Sequence, residues 1–170
     1  MSSLFVKVKL FTPRKAKMVK FILTKELGKL ARWLRILGFD TYYYTSDNMG
    51  TLIIYALREN RVIVTRRKRV DDMKVVVVET NDVRSQIKEL VEKLKLKINE
   101  NLMFSRCVIC NELLEKVKKE EIRGKVPEYV YTTQQEFYRC PSCQRLYWQG
   151  SHWGNVREIL KKVLGGDVCS

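Results

Sequence analysis

The apolar positions of this chain fall into short continuous runs separated by stretches with helical spacing. The runs at residues 19–23, 61–65 and 75–79 predict strands, and the aromatic run at 41–45 predicts a fourth. The 75–79 run, VVVVE, suits a strand that is covered on both faces of a sheet. These segments are short and closely spaced, so a small sheet is expected.

Helical spacing occupies the intervals between the runs. After the first run, apolar residues recur three or four positions apart before a helix-ending Gly38: Leu27, Leu30, Ala31, Leu34 and Leu37. Further helices are predicted at residues 52–58, 85–96 and 155–164. Strands alternating with helices predict an α/β fold, with a mostly parallel sheet sandwiched by helices.

The pattern divides the chain into four segments. A basic extension at residues 1–18 contains an alternating apolar and basic stretch, which suggests a short strand with a basic face. The α/β domain is predicted at 19–103 and a cysteine-bearing module at 104–154. A helix and tail at 155–170 complete the expected organisation.

The net charge of the chain indicates a class of binding partner. Lys and Arg number 33 against 19 acids, a net charge of +14 over 170 residues. Such an excess of positive charge favours a polyanion as binding partner, and nucleic acid is the polyanion we expect. The alternative is a solvated basic surface without a partner. Apolar runs fall far short of the roughly 20 residues that span a bilayer, and no secretory signal is visible. A cytoplasmic protein without a membrane partner is expected.

Four of the five cysteines form two C-x-x-C pairs, Cys107/Cys110 and Cys140/Cys143, separated by 29 residues. Thiolates two residues apart can share one tetrahedral ion, so the pairs predict a closed structural Zn²⁺ site. Paired disulfides or redox pairs are the alternatives. Cys169 has no partner pair and is expected to be a spare thiol.

Aromatic and basic residues crowd the cysteine module. Arg139, Arg145, Trp148 and Trp153 are candidate RNA contacts, because aromatic rings and guanidinium planes stack on unpaired bases. The same aromatics would also fill the core of a small metal module. His152, the only histidine, is a candidate general base, metal ligand or RNA contact, although packing beside the tryptophans also explains it.

Several segments together resemble the Mut7-C family, which joins a PIN-like nuclease domain to a C-terminal zinc ribbon. The resemblance is colinear over roughly residues 19–155. Its segments are KFILTKELGKLARWLRILGFDT at 20–41, RVIVTR at 61–66, FSRCVIC at 104–110, VPEYV at 126–130, FYRCPSC at 137–143 and YWQGSHW at 147–153. It implies a PIN-like parallel sheet, and carboxylates at the strand ends holding Mg²⁺ or Mn²⁺ for RNA cleavage.

Two of the acids that the resemblance implies are replaced here. Thr24 stands where an acid ends the first strand, and Arg67 stands where a T-R-D motif carries its aspartate. A hydroxyl is a poor ligand for a hard cation, and an arginine repels one. Glu26, Asp40 and Asp47 remain as candidate acids of a rearranged site. Asp71 and Asp72 are also near, and capping of the turn before the next strand is the alternative role for them.

Basic residues surround the expected cleft instead and suit phosphate binding without cleavage. They come from the extension, the first helix and the run after the third strand: Lys7, Lys9, Arg14, Lys15, Lys17, Lys25, Lys29, Arg32, Arg35, Arg66, Arg67, Lys68 and Arg69. The leading hypothesis is therefore a catalytically inactive PIN-like protein that binds RNA in a large ribonucleoprotein. Ribosomal RNA and its neighbouring subunits are the most abundant such partners.

Two other functions stay open at this stage. One is an active metal-dependent endoribonuclease that uses Mg²⁺ or Mn²⁺ on the rearranged acids. The other is a toxin-like or regulatory protein that binds a protein partner through the ribbon.

Overall fold

The computed structural model describes residues 18–67, 74–150 and 152–165. The strand predicted in the basic extension lies outside these residues, as do the cations next to that strand. The same holds for Lys68, Arg69, Asp71, Asp72 and Cys169. Within them, a parallel sheet is formed by β1 (Lys20–Leu23), β2 (Thr41–Tyr43), β3 (Arg61–Thr65) and β4 (Val75–Val77), in the order β2-β1-β3-β4. Helices flank this sheet, which confirms the predicted fold class.

Two apolar cores cover the two faces of the sheet, because successive strand residues point to opposite sides. On one face, Phe21, Leu23 and Val64 pack in the larger core with α1 (Gly28–Ile36) and α3 (Val83–Leu94). On the other face, Ile22 and Ile63 pack against α2 (Met49–Glu59). Val75 and Val76 point to different cores, so the last run of valines is covered on both faces as predicted.

Helix ends are fixed by local side chains. Asn48 and Asp82 accept backbone hydrogen bonds from Thr51 and Ser85 at the starts of α2 and α3, and α2 therefore begins three residues before its predicted start. Beyond α1, Gly38 has φ of +91°, and a Cβ there would lie 2.4 Å from the carbonyl oxygen of Leu102. Only glycine permits this approach of the chain that leads into the cysteine module.

The cysteine module contains an antiparallel sheet of β5 (Glu115–Val117), β6 (Phe137–Arg139) and β7 (Leu146–Trp148), with α4 (Glu128–Thr133) inserted between β5 and β6. Phe137 and Ile122 are buried at its centre. The chain then returns to the α/β part through α5 (His152–Leu164), which starts three residues earlier than predicted. Val156 and Leu160 of α5 lie in the larger core, beside α3.

Candidate metal centre and nucleic-acid interface

The four predicted cysteines converge on one point. Their Sγ atoms all lie within 4.8 Å of one another, with 3.7 Å between Cys107 and Cys143, and none is in a disulfide. A tetrahedral ion bound at about 2.3 Å from each sulfur requires sulfurs about 3.8 Å apart. The cluster can therefore hold a structural metal ion.

The two cysteine pairs share one backbone geometry. Cys110 and Cys143 donate their backbone N–H groups to the sulfurs of Cys107 and Cys140, at 3.3 and 3.5 Å. The residue after each pair, Asn111 or Gln144, has positive φ and donates its N–H to the carbonyl of the first cysteine. Each pair is thus a tight turn that aims both sulfurs to the same side.

The surroundings of Cys107 favour its ionised form. Burial raises the pKa of this thiol, but hydrogen bonds from the Tyr147 hydroxyl, 3.0 Å away, and from the backbone of Cys110 outweigh that effect and lower the pKa to about 6. The metal requires thiolates, and Tyr147 supplies the kind of outer hydrogen bond that orients a ligand. Sequence analysis missed this role of Tyr147, because the contact joins side chains 40 residues apart.

The first cysteine pair is bonded directly to the α/β part of the molecule. Arg35 of α1 donates from Nη1 to the carbonyls of Val108 and Ile109, both at 2.9 Å, and from Nε to the carbonyl of Thr41 at 3.0 Å. Burial lowers the pKa of this guanidinium, whereas negative charge on Cys107 acts in the opposite direction. Arg35 therefore joins the helix, strand β2 and the metal centre.

Arg35, which was predicted to contact RNA, instead bonds the backbone inside the molecule. Its side chain is buried, with 7% of the residue exposed, and its donors are used by backbone carbonyls. Lys25, Lys29 and Arg32, which were predicted on the same basic surface, are exposed. The cations predicted on one face of α1 therefore have two environments: Lys29 and Arg32 face solvent, whereas Arg35 contacts the metal module.

Asp40 also serves this junction, at the amino end of the parallel sheet. Asp40 precedes β2 and accepts hydrogen bonds from Arg61 Nη1 at 2.6 Å and from Asn111 Nδ2 at 2.9 Å. Asn111 Oδ1 in turn accepts a hydrogen bond from the backbone N–H of Thr41. Burial raises the pKa of Asp40, but the hydrogen bonds from Arg61 and Asn111 outweigh it and lower the pKa. The expectation that Asp40 joins Glu26 and Asp47 is wrong, because those residues follow the carboxyl ends of strands. Sequence analysis did not identify Arg61 and Asn111 as partners of Asp40. The only sequence signal was the position of Asn111 directly after a cysteine pair, where φ is positive.

The carboxyl edge of the sheet is where a PIN-like site is expected, and Glu26 bends back to it. Glu26 Oε1 accepts from Thr24 Oγ1 at 2.6 Å, from the backbone of Arg66 at 3.3 Å and from Thr65 Oγ1 at 3.4 Å. Burial raises its pKa, but these bonds and the nearby charge of Arg67 lower it overall. A carboxylate thus lies beside the buried Thr24 after all, supplied from two residues further along the chain.

Asp47 lies at the same edge but is paired with cations. Its Oδ2 accepts from Lys25 Nζ at 2.7 Å and its Oδ1 from Arg67 Nη2 at 3.3 Å. The hydrogen bond and charge of Lys25 lower the pKa of Asp47, and Arg67 adds to that effect. The side chain of Asp47 is 65% exposed, so this arrangement is open to solvent.

Glu26 and Asp47 do not form a metal site of the expected kind. Over residues 18–67, 74–150 and 152–165, the four cysteines are the only group of three or more acidic, histidine or cysteine ligands that can converge on an ion. A hard cation needs several anionic oxygens, and here both carboxylates are already bonded, one of them to two cations. The described residues of this edge do not fit Mg²⁺ or Mn²⁺.

The other predicted RNA contacts are distributed over two surfaces. Arg66 and Arg67 are exposed at the carboxyl edge with Lys25, and Arg66 Nη2 donates to Asn81. In the cysteine module, Arg139 lies 4.0 Å from Glu121, Arg145 is exposed and Trp148 is half-buried. His152 and Trp153 begin α5, but their side chains lie outside what the structure describes, as do Lys7, Lys9, Arg14, Lys15, Lys17, Lys68 and Arg69.

Comparison of the sequence with known protein families identifies one match. Residues 19–160 match the Mut7-C RNAse domain, from the residue before β1 to the buried Leu160 of α5. No curated protein and no solved structure matched. No helix in the described ranges has the length and apolar character to cross a membrane. The family match and the four-cysteine cluster confirm the resemblance seen in the sequence, and an RNase-domain family indicates a nuclease-like, RNA-related function. The chain belongs to the Mut7-C RNAse domain family.

Proposed function

We propose that this protein binds RNA without cleaving it, through the carboxyl edge of its parallel sheet. The observation that carries the proposal is the position of Arg67, whose guanidinium bonds Asp47 and whose charge lowers the pKa of Glu26. A cation therefore occupies the place where a divalent metal would neutralise these acids. Such an edge can hold a phosphate, since the same cation can exchange a carboxylate for a phosphate oxygen.

The surrounding charge supports binding to an extended polyanion. Lys25, Lys29, Arg32, Arg66 and Arg67 are all exposed on or beside this edge, in a chain with a net charge of +14. Each phosphate neutralised by such a side chain releases condensed counterions, which favours binding at low salt. Glu26 and Asp47 oppose them at this edge, and both carboxylates are already hydrogen-bonded.

The cysteine cluster has a structural part in this proposal, and Zn²⁺ is the proposed ion. Four sulfurs close the coordination shell, so no position remains for water or substrate. Four thiolates with one divalent ion leave excess negative charge, which the buried Arg35 lies close enough to offset. The ion would stabilise the module and its junction with the α/β part.

We place the protein in the cytoplasm, as a component of a large ribonucleoprotein. The ribosome is the proposed assembly because it is the most abundant RNA–protein particle and presents ordered phosphates to basic proteins. Co-sedimentation of the protein with ribosomal particles at moderate salt, lost after RNase treatment, is the expected result. A distribution confined to the free fractions would refute the ribosomal setting while leaving RNA binding intact.

RNA binding and cleavage can be tested on one preparation. Fluorescence anisotropy with labelled RNA should show binding that weakens in Arg67→Gln, with the slope of log affinity against log salt reduced by about 1. Arg58→Gln is the matched control, since Arg58 is exposed near the end of α2, which leads to the opposite edge of the sheet. No cleavage is expected with Mg²⁺ or Mn²⁺. Equal effects of the two substitutions, or no RNA binding at all, would contradict the proposal.

A metal-dependent endoribonuclease is the alternative, and the position of Glu26 favours it. Its carboxylate reaches back to the strand end, so the loss of an acid at Thr24 is partly offset. In that case Mn²⁺ would support cleavage of single-stranded RNA, and Asp47→Asn would abolish it. Cleavage by purified protein that survives Asp47→Asn would point to a contaminating nuclease.

A further inference from the structure

The cysteine module carries a pocket of about 560 Å³ that is wide open to solvent. The walls come from both cysteine pairs, from β7 and from the loop before α4: Val108, Lys125, Gln144, Arg145, Leu146, Tyr147 and Trp148. A volume of this size is within the range of small-ligand sites, roughly 300–1,000 Å³. It is large enough for one nucleotide.

This pocket is separate from the carboxyl edge of the parallel sheet. Val108, on its wall, is bonded through its carbonyl to Arg35, which in turn bonds Thr41 at the amino end of β2. The pocket is thus tied to the amino edge, whereas Arg66 and Arg67 follow the carboxyl end of β3. A ligand bound here would use contacts that the carboxyl edge does not supply.

The cations of the pocket are available to a ligand. Within the described part of the chain, neither Lys125 nor Arg145 has an acid partner for its side chain, and both residues are exposed. Two other cations of the same module are paired, Lys116 with Glu136 and Arg139 with Glu121. Two unpaired positive charges at one pocket favour an anionic ligand.

Two aromatic residues, Tyr147 and Trp148, line the pocket. Trp148 is half-buried and packs partly against the Phe137 core, and its indole N–H finds no hydrogen-bond partner among the described residues. Tyr147 is anchored by its hydroxyl, 3.0 Å from Cys107 Sγ. Rings that are already fixed lose little conformational freedom when a ligand stacks on them.

A cationic rim next to a fixed aromatic wall matches the chemistry of a nucleotide with an unpaired base. The base can stack on the ring, and its phosphate can reach the cations. We propose that this pocket binds one unpaired nucleotide of a single-stranded RNA, with the base against Trp148 and the phosphate against Arg145 and Lys125. The inference rests on the proposed RNA-binding function and deepens it by naming the ligand. A duplex would not enter, because its bases are stacked and paired.

The test uses the full-length, metal-loaded protein and a fluorescein-labelled 12-nucleotide single-stranded RNA, with a duplex of the same sequence beside it. Trp148→Leu should lower the affinity for the single strand about tenfold, and Trp148→Phe should retain most of it, because stacking needs an aromatic face. Arg145→Gln should lower the same affinity several-fold and reduce the salt slope by about 1. Duplex binding should be unchanged in all three variants.

Matched controls come from the same module. Tyr129→Leu removes an aromatic side chain that is 76% exposed on α4, away from the pocket, and Lys116→Gln removes a cation that is paired with Glu136. Both should bind the single strand as the original protein does. Arg145 is exposed, so Arg145→Gln tests the pocket even if Trp148→Leu loses its metal or fails to fold, which metal content and circular dichroism would show.

The outcomes separate this inference from the proposed function. If Arg67→Gln weakens RNA binding but Arg145→Gln and Trp148→Leu bind the single strand unchanged, the pocket inference is overturned and RNA binding at the carboxyl edge stands. If the original protein binds no RNA, both fail. A labelled polyglutamate peptide whose binding requires Arg145, while the single strand does not, would identify an acidic peptide as the occupant and overturn the nucleotide proposal.

Discussion

The two edges of the parallel sheet carry similar charges in opposite environments. At the amino edge, Asp40 is bonded to Arg61, and the exposed fractions of their side chains are 20% and 9%. At the carboxyl edge, Asp47 is bonded to Lys25 and Arg67, and the three side chains are 47–65% exposed. Each edge therefore pairs an aspartate with cations, but only one pair is withdrawn from water.

The difference in burial gives the two ion pairs different roles, one in stability and one in ligand binding. A buried polar group that loses its partner costs stability, so the amino edge tolerates few changes. An exposed ion pair contributes little to stability and exchanges easily with a ligand. The amino edge thus holds the metal module in place, while the carboxyl edge keeps its charges available for RNA.

Removal of the metal should give the largest effect and tests whether the amino edge couples the two parts. Structural zinc contributes on the order of 10 kcal/mol to folding of small zinc modules. Because Arg35 and Asn111 bond the first cysteine pair to the α/β part, a chelator should lower the unfolding temperature of the whole protein. Circular dichroism melts with metal analysis measure this, and zinc is the expected element.

Cys107→Ser should reproduce the effect of the chelator, whereas Cys169→Ser, which leaves the four-cysteine set intact, should not. An α/β transition that stays at its original temperature while the module unfolds would break the proposed coupling.

Arg35→Met should be the most damaging substitution outside the cysteines. The change leaves the carbonyls of Thr41, Val108 and Ile109 without their donor, at a cost of about 3 kcal/mol in unfolding free energy. Arg32→Met on the same helix is the control, since Arg32 is exposed and such surface changes stay within about 0.5 kcal/mol. Urea denaturation measures both. Equal losses would show that the burial of Arg35 is not what matters.

Asp40→Asn should lower stability by about 1–2 kcal/mol at neutral pH, because Arg61 keeps only Glu59 as an acidic partner. The pKa of Asp40 is lowered in the folded state, so the unfolded state binds more protons in acid. The stabilisation by Asp40 is therefore complete above about pH 4 and is lost as the pH falls through the folded pKa.

The stability curves of the original protein and Asp40→Asn should accordingly converge in acid. Denaturant unfolding between about pH 2.5 and 7 would show this convergence. A constant gap over that range would mean that Asp40 acts through its shape and not through its charge.

The sequence predicted the elements of this fold well because they depend on local apolar patterns. The runs of β1, β3 and β4 and the helical spacing of α1 and α3 are each visible within a dozen residues. Cys107, Cys110, Cys140 and Cys143 were also predictable, because the spacing within each pair is itself the requirement of a shared ion.

What the sequence did not reveal depends on partners far along the chain. Arg35 lies on the polar side of its helix by pattern, and only carbonyls 73 and 74 residues later explain its burial. Glu26 was a candidate acid two residues beyond the strand end, and the single turn of 3-10 helix at Lys25–Leu27 that brings it back to Thr24 has no clear signal in the sequence. Asp40 stands one residue before a strand, and its partners Arg61 and Asn111 lie 21 and 71 residues further along the chain.

The smallest expected effect on stability comes from Asp47→Asn, and it sharpens the contrast with Asp40→Asn. Asp47 is exposed, so its removal should leave the unfolding transition unchanged. Its loss releases Lys25 and Arg67 from a competing anion, so affinity for RNA should rise a few-fold at low salt and return to that of the original protein at high salt. Anisotropy titrations at two salt concentrations measure this change. A fall in affinity would instead indicate that Asp47 positions the cations, because a carboxylate that only competes with phosphate cannot assist its binding.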